Sequence, residues 1–219
     1  ETTLSTELVL DGTKTFATLA PGCDEMLVVA TRGAGSDGRN QLVVVRVRAS
    51  TPGVTIALRD PTPFAPEIPH ARVTFANVHV AARDVLPGDG YTAYLKPFRT
   101  VEDTHVLAAS LAHVIRMARM DDLDPALAEG ALALIVALRH VALAMTPDDP
   151  KAHLVLSGLF YGSRRLIADH QATWSKLASR GDEEKAITER WQRDLGLLMV
   201  AEMARSKRTE AAWRSYASG

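Results

Sequence analysis

The chain has 219 residues, which gives one large domain or two small ones at about 100–200 residues each and enough length to bury a core. Hydrophobic residues make up 47% and charged residues 23%, which excludes a disordered chain, and a formal net charge of −1 gives no general pull toward nucleic acid or an anionic membrane. The single cysteine, Cys23, excludes an internal disulfide and fits a reducing compartment, so a cytoplasmic location is expected.

No signal-peptide pattern opens the sequence. It starts at Glu1 rather than methionine, which leaves a fragment, a processed form and a trimmed chain open. Residues 1–90 read as strands. Residues 8–10 and 14–18 flank Asp11-Gly12, a dipeptide suited to a hairpin turn because both central positions need positive φ. Residues 26–31 and 41–48 are β-branched runs, and in the second Val43, Val45 and Val47 form one apolar face. Residues 54–58 and 72–80 complete about six short strands, with proline and glycine between them. No helix-length periodic segment interrupts this half, so antiparallel pairing is expected.

Residues 91–219 change to helical periodicity. Helices are expected over 91–119, from 125 to about 145, from 150 to about 179, and from 182 to the end. The pairs Asp124-Pro125 and Asp149-Pro150 each place a capping carboxylate before a proline at the first helical position. The stretch 131–145 is apolar but interrupted by Arg139 and His140, so it is expected to be a core helix and no membrane insertion is expected. In the last helix Ile187, Trp191, Leu195 and Leu198 form a stripe. The expected class is α+β. An antiparallel barrel-like or sandwich-like β domain (1–90) precedes an antiparallel four-helix bundle (91–219).

The chemistry-bearing motifs are sparse. Residues 33–38 match G-x-G-x-x-G, but the loop leads into another strand rather than a helix, so it reads as a plain hairpin loop. Glu102 and His105 form E-x-x-H, the spacing of di-iron carboxylate sites, and the second match, Glu67 to His70, sits between prolines. The seven histidines are scattered and none shows zinc spacing, so no metal is expected. No serine sits in a nucleophile elbow. Arg164, Arg165, Arg205, Lys207, Arg208 and Arg214 read as solvated helix faces or as contacts to a phosphate-bearing cofactor or thioester.

Two segments carry a family resemblance. Leu10 to Ala30, LDGTKTFATLAPGCDEMLVVA, is similar to part of the β domain of acyl-CoA dehydrogenases. Ala71 to Tyr91, ARVTFANVHVAARDVLPGDGY, resembles that family's later signature, a phenylalanine and valine followed by a leucine-proline-glycine turn into the bundle. The family's front helical domain, which contributes to its acyl pocket, is not in the chain. The resemblance implies an FAD site in which Phe16 and Thr18 lie against the isoalloxazine ring, with the threonine hydroxyl near its reactive nitrogen. It implies the oxidation of an acyl-CoA or related thioester, as in fatty acid metabolism, and a homodimer or homotetramer through the helical bundle.

The departures bear on catalysis. The tyrosine-glutamate-glycine-threonine loop that usually carries the family's base is not found, nor is the glutamine-rich segment that grips a neighbour's flavin nucleotide. Some members carry the base on the first bundle helix, which here points to Asp103, with Glu102 as runner-up. A carboxylate taking the α-proton while the β-hydride goes to flavin is the reaction so implied. Two alternatives stand beside it: a degenerate member serving as a binding or assembly subunit, and a flavin monooxygenase of the same fold.

Overall fold

A computed structural model describes residues 8–36, 38–120 and 124–217. Asp37 of the glycine-rich loop and the start of the chain at Glu1 therefore lie outside the described residues. The chain divides into two compact units, Glu1–Lys96 and Pro97–Gly219, and its class is α+β with antiparallel sheets.

The first unit has five strands: β1 (Leu8–Thr18), β2 (Glu25–Ala34), β3 (Asn40–Arg48), β4 (Val54–Leu58) and β5 (His70–Val80). One sheet has the order β1-β5-β4 and the other pairs β2 with β3, all antiparallel. Val28, Val45 and Val47 from the second sheet share one core with Ala71, Val73, Phe75, Val78 and Val80 from the first. The valine alternation in β3 thus puts Val45 and Val47 inside while Arg46 and Arg48 stay exposed. The glycine-rich loop joins β2 to β3 as a hairpin, closed by the Gly35 N–H donating to the Arg39 carbonyl at 2.7 Å.

Asp11-Gly12 is not a hairpin turn. β1 runs straight through it, and the register shifts between Leu10 and Gly12, so that Asp11 faces both Ala76 and Asn77 of β5. Gly12 takes φ +135° and Asn77 φ +52°. The Asn77 N–H donates to the Asp11 carboxylate at 2.7 Å. The carboxylate thus satisfies a donor that the ladder leaves unpaired at the bulge. The local turn signal marked a bulge because β5, sixty residues later, supplies the partner that a hairpin would have drawn from nearby. At Gly53 (φ +89°) a Cβ would lie 2.2 Å from the Ala76 carbonyl oxygen, so only glycine fits beside this bulge.

A π-helical turn, Gly90–Leu95, leads out of the unit, with the Asp89 side chain accepting from the Thr92 N–H at 2.8 Å. It lies so close to β3 that a Cβ on Gly90 would come within 2.8 Å of the Leu42 backbone.

The second unit contains α1 (Lys96–Ala118), α2 (Pro125–Ala144), α3 (Pro150–Asp169), α4 (Gln171–Ala178), α5 (Asp182–Asp194) and α6 (Glu202–Ala217). Leu107, Leu111, Val114 and Met117 of α1 form one core with Leu127 and Leu138 of α2, Phe160 of α3, Trp174 of α4 and Trp191 of α5. Both Asp-Pro starts behave as N-caps: Asp124 accepts from the Leu127 N–H at 3.0 Å and Asp149 from the Lys151 N–H at 2.8 Å.

The third and fourth expected helices are each divided. Near the end of α3 the Leu166 carbonyl lies 2.8 Å from His170 Nδ1, and the Ile167 carbonyl accepts from the Trp174 indole N–H at 3.1 Å. Side chains so take up acceptors that the broken helix leaves free. The last helix breaks at a 3-10 turn, Leu195–Met199, followed by Ala201 at φ +57°. The stripe of Ile187, Trp191, Leu195 and Leu198 still faces the core across this break.

Candidate functional site

Phe16 and Thr18 lie on the outer face of the three-stranded sheet, near the end of β1. Phe16 is part of a second bulge: the register shifts between Lys14 and Ala17, so Thr15 and Phe16 together oppose Arg72. Such a bulge re-aims a side chain. Ala17 packs against the core, whereas Phe16 is 53% exposed and Thr18 is exposed as well. Beneath Phe16 lies His70, with ring centroids 4.2 Å apart and planes tilted by 30°. The Arg59 guanidinium sits 5.5 Å from the Phe16 centroid and donates to the Thr15 carbonyl at 2.8 Å. His70 is buried and its Nδ1 has no hydrogen-bond partner among the described residues.

The result is an aromatic ring backed by His70 beside a hydroxyl that makes no hydrogen bond among the described residues, two positions apart on one strand face. These residues fit a planar heteroaromatic group with a polar edge: the ring offers a stacking surface and the threonine offers a donor. His70 and Arg59 were not legible as members of this site. His70 stood out only through its spacing from Glu67, and the pairing of β5 with both β1 and β4 is what brings His70 and Arg59 to Phe16.

In the second unit Asp103 is buried at 5% exposure. One of its carboxylate oxygens accepts from Arg205 at 2.9 Å and the other from Arg208 at 2.5 Å, both from α6. Arg205 is also buried, stacks on Phe160 at 3.8 Å, and donates to the carbonyls of Leu198 at 3.0 Å and Val200 at 3.3 Å. Burial pushes the Arg205 guanidinium down from its ordinary value, against the opposing pull of Asp103. The runner-up Glu102 is half-exposed and paired with Arg99 one turn away. Both carboxylates named from sequence therefore have guanidinium partners.

Of the basic positions read as solvated faces or phosphate contacts, Arg205 and Arg208 turn inward to Asp103. Arg164 pairs with Glu202, and Arg165 lies 3.9 Å from Asp169. The three-residue spacing of Arg205 and Arg208, one turn of one helix face, was the signal for a shared acidic partner. Among the described residues no group of three histidine, cysteine or acidic side chains could hold a metal ion.

No protein-family model matches the sequence, and no curated protein sequence matches it. Solved structures do. Butyryl-CoA dehydrogenase from Megasphaera elsdenii is 17% identical with a TM-score of 0.68, over 94% of this chain and 60% of that one. Glutaryl-CoA dehydrogenase in complex with glutaryl-CoA is 15% identical with a TM-score of 0.60, over 90% and 55% respectively. TdsC from Paenibacillus sp. A11-2, bound to FMN and indole, is 14% identical with a TM-score of 0.68, over 97% and 66%. The chain has the acyl-CoA dehydrogenase fold, and it spans about 60% of the length of the dehydrogenase from M. elsdenii.

Proposed function

We propose that the chain is part of a flavin-dependent oxidoreductase, that FAD is its cofactor, and that an acyl-CoA or related thioester is its substrate. The observation that carries this reading is the exposed Phe16–Thr18 face, present on a fold shared with acyl-CoA dehydrogenases and a monooxygenase. A flavin held there supplies a two-electron acceptor. Phe16, backed by His70 and 53% exposed, would orient the ring plane. The Thr18 hydroxyl donates a hydrogen bond to a polar edge, where it stabilises arriving negative charge. Abstraction of the substrate α-proton falls to a carboxylate, for which Asp103 is the candidate in this chain and Glu102 the runner-up. The active form is a homodimer or homotetramer assembled through the helical bundle.

A second reading is favoured by one observation: both oxygens of Asp103 are held by Arg205 and Arg208. A carboxylate so engaged serves as an anchor. The chain then belongs to a flavin monooxygenase of this fold or to a binding or assembly subunit.

The first test is the visible spectrum of the purified protein after addition of FAD and gel filtration. Flavin bands should co-elute with the protein. Phe16→Ala should weaken binding about tenfold, the loss of ~1.4 kcal/mol of stacking, and Thr18→Val should shift the bound flavin spectrum. Absence of co-eluting flavin at any FAD concentration would sink the proposal. Anaerobic bleaching by acyl-CoA that persists in Asp103→Asn would remove Asp103 as the base and favour the second reading.

A further inference from the structure

We infer that the outward face of α2 docks a second copy of this chain, antiparallel, in a two-fold contact centred at the level of Leu134. This names the surface of the homo-oligomer proposed above and rests on that part of the reading. α2 holds a stretch of mean hydropathy 1.7, of which only 22% is buried. Its inward face is well used. Leu127, Ala131, Leu138 and Val141 are buried, and α3 approaches closely enough that a Cβ on Gly130 would meet Leu166 at 2.7 Å. The opposite face is not covered. At 100° per residue Pro125, Glu129, Leu132, Val136, Arg139 and Leu143 line one side of the helix. Leu132 is 56% exposed, Val136 62% and Leu143 72%.

The two charges on this face choose the occupant. Glu129 and Arg139 are both exposed and have no ion-pair partner among the described residues. They lie ten residues apart, about 15 Å along the helix, with Leu132 and Val136 between them. When two copies of α2 pack antiparallel about Leu134, Glu129 of each faces Arg139 of the other, Leu132 faces Val136, and Pro125 faces Leu143. Every contact then occurs twice, which is what an isologous two-fold interface requires. A parallel pairing sets Glu129 against Glu129 and Arg139 against Arg139, and like charges across an interface are strongly disfavoured. An apolar lipid surface would leave Glu129 unpaired within the buried row, an arrangement that costs more than the aliphatic side chains return.

The experiment measures the mass of the full chain by light scattering across a concentration series. Wild type should run as a dimer or a multiple of it. Glu129→Arg and Arg139→Glu should each raise the dissociation constant at least tenfold. The double reversal Glu129→Arg/Arg139→Glu should return it to within a few-fold of wild type. In a Cys23→Ser background, Leu132→Cys/Val136→Cys should cross-link two chains on oxidation. Far-UV circular dichroism confirms that each variant keeps its helices, as expected for exposed positions. A wild type that stays monomeric at every concentration overturns both the oligomer and this surface. A wild-type oligomer whose mass the single reversals leave unchanged, and whose double-cysteine form does not cross-link, keeps the oligomer and overturns this surface.

Discussion

Asp103 shows what one buried charge decides. Its side chain and that of Arg205 are each 7% exposed, and the two lie 102 residues apart in sequence. Removing one member of such a group leaves the others buried and uncompensated, at a cost of about 3–5 kcal/mol. Asp103→Ala should therefore lower the urea midpoint by that equivalent, with Asp103→Asn milder because the amide oxygen still accepts. A loss below ~1 kcal/mol would show that Asp103 does not anchor α6. Asp124 makes a smaller tie. Besides capping α2 it accepts a hydrogen bond from the Thr173 hydroxyl, and His170 Nε2 lies 4.0 Å away. Burial pushes its carboxyl up, but the Thr173 hydroxyl, the Leu127 N–H, the His170 ring and the Ala126 N–H together hold it below the usual carboxylate range. A depressed carboxylate stabilises the fold above its unfolded value of about 3.9, and that stabilisation is lost as pH falls through the lower folded value. Unfolding free energy should thus decline on acidification below about pH 4. Asp124→Asn should flatten that decline, and an unchanged acid limb would exclude the link.

At the scale of elements, the helices depart from their local signals where side chains from elsewhere take their backbone groups. α6 begins after a break because buried Arg205 uses the Leu198 and Val200 carbonyls, which an unbroken helix would keep for itself. Gly196 within the 3-10 turn weakens the helix locally, and Asp103 and Phe160 hold Arg205 where it takes those carbonyls. Where no such tertiary demand exists, local propensity should rule. Gly158 lies exposed in the middle of α3, and a Cβ there would meet nothing within 4 Å. Gly158→Ala should raise stability by about 1 kcal/mol, read as a higher denaturant midpoint at unchanged slope. A destabilisation would mean that this face of α3 is packed in the assembled protein.

Across the whole molecule, the sequence by itself determined the class of structure and the order of its parts. Period-two valines in residues 43–47, helical periodicity after residue 91, and the Asp-Pro caps at 124 and 149 are local signals, each readable within a few residues of sequence. The candidate cofactor face was half legible. Phe16 and Thr18 were named through a resemblance, while His70 and Arg59 became part of the site only through strand pairing. The tertiary structure alone decided that Asp11-Gly12 is a bulge, that Arg205 and Arg208 turn inward on Asp103, and that α2 keeps an apolar face outward. The reason is common to all three. A turn, a charge and an apolar stripe each have a low-energy local answer, and each is overruled only when a partner distant in sequence satisfies the same groups better, or when the one available partner leaves a face uncovered.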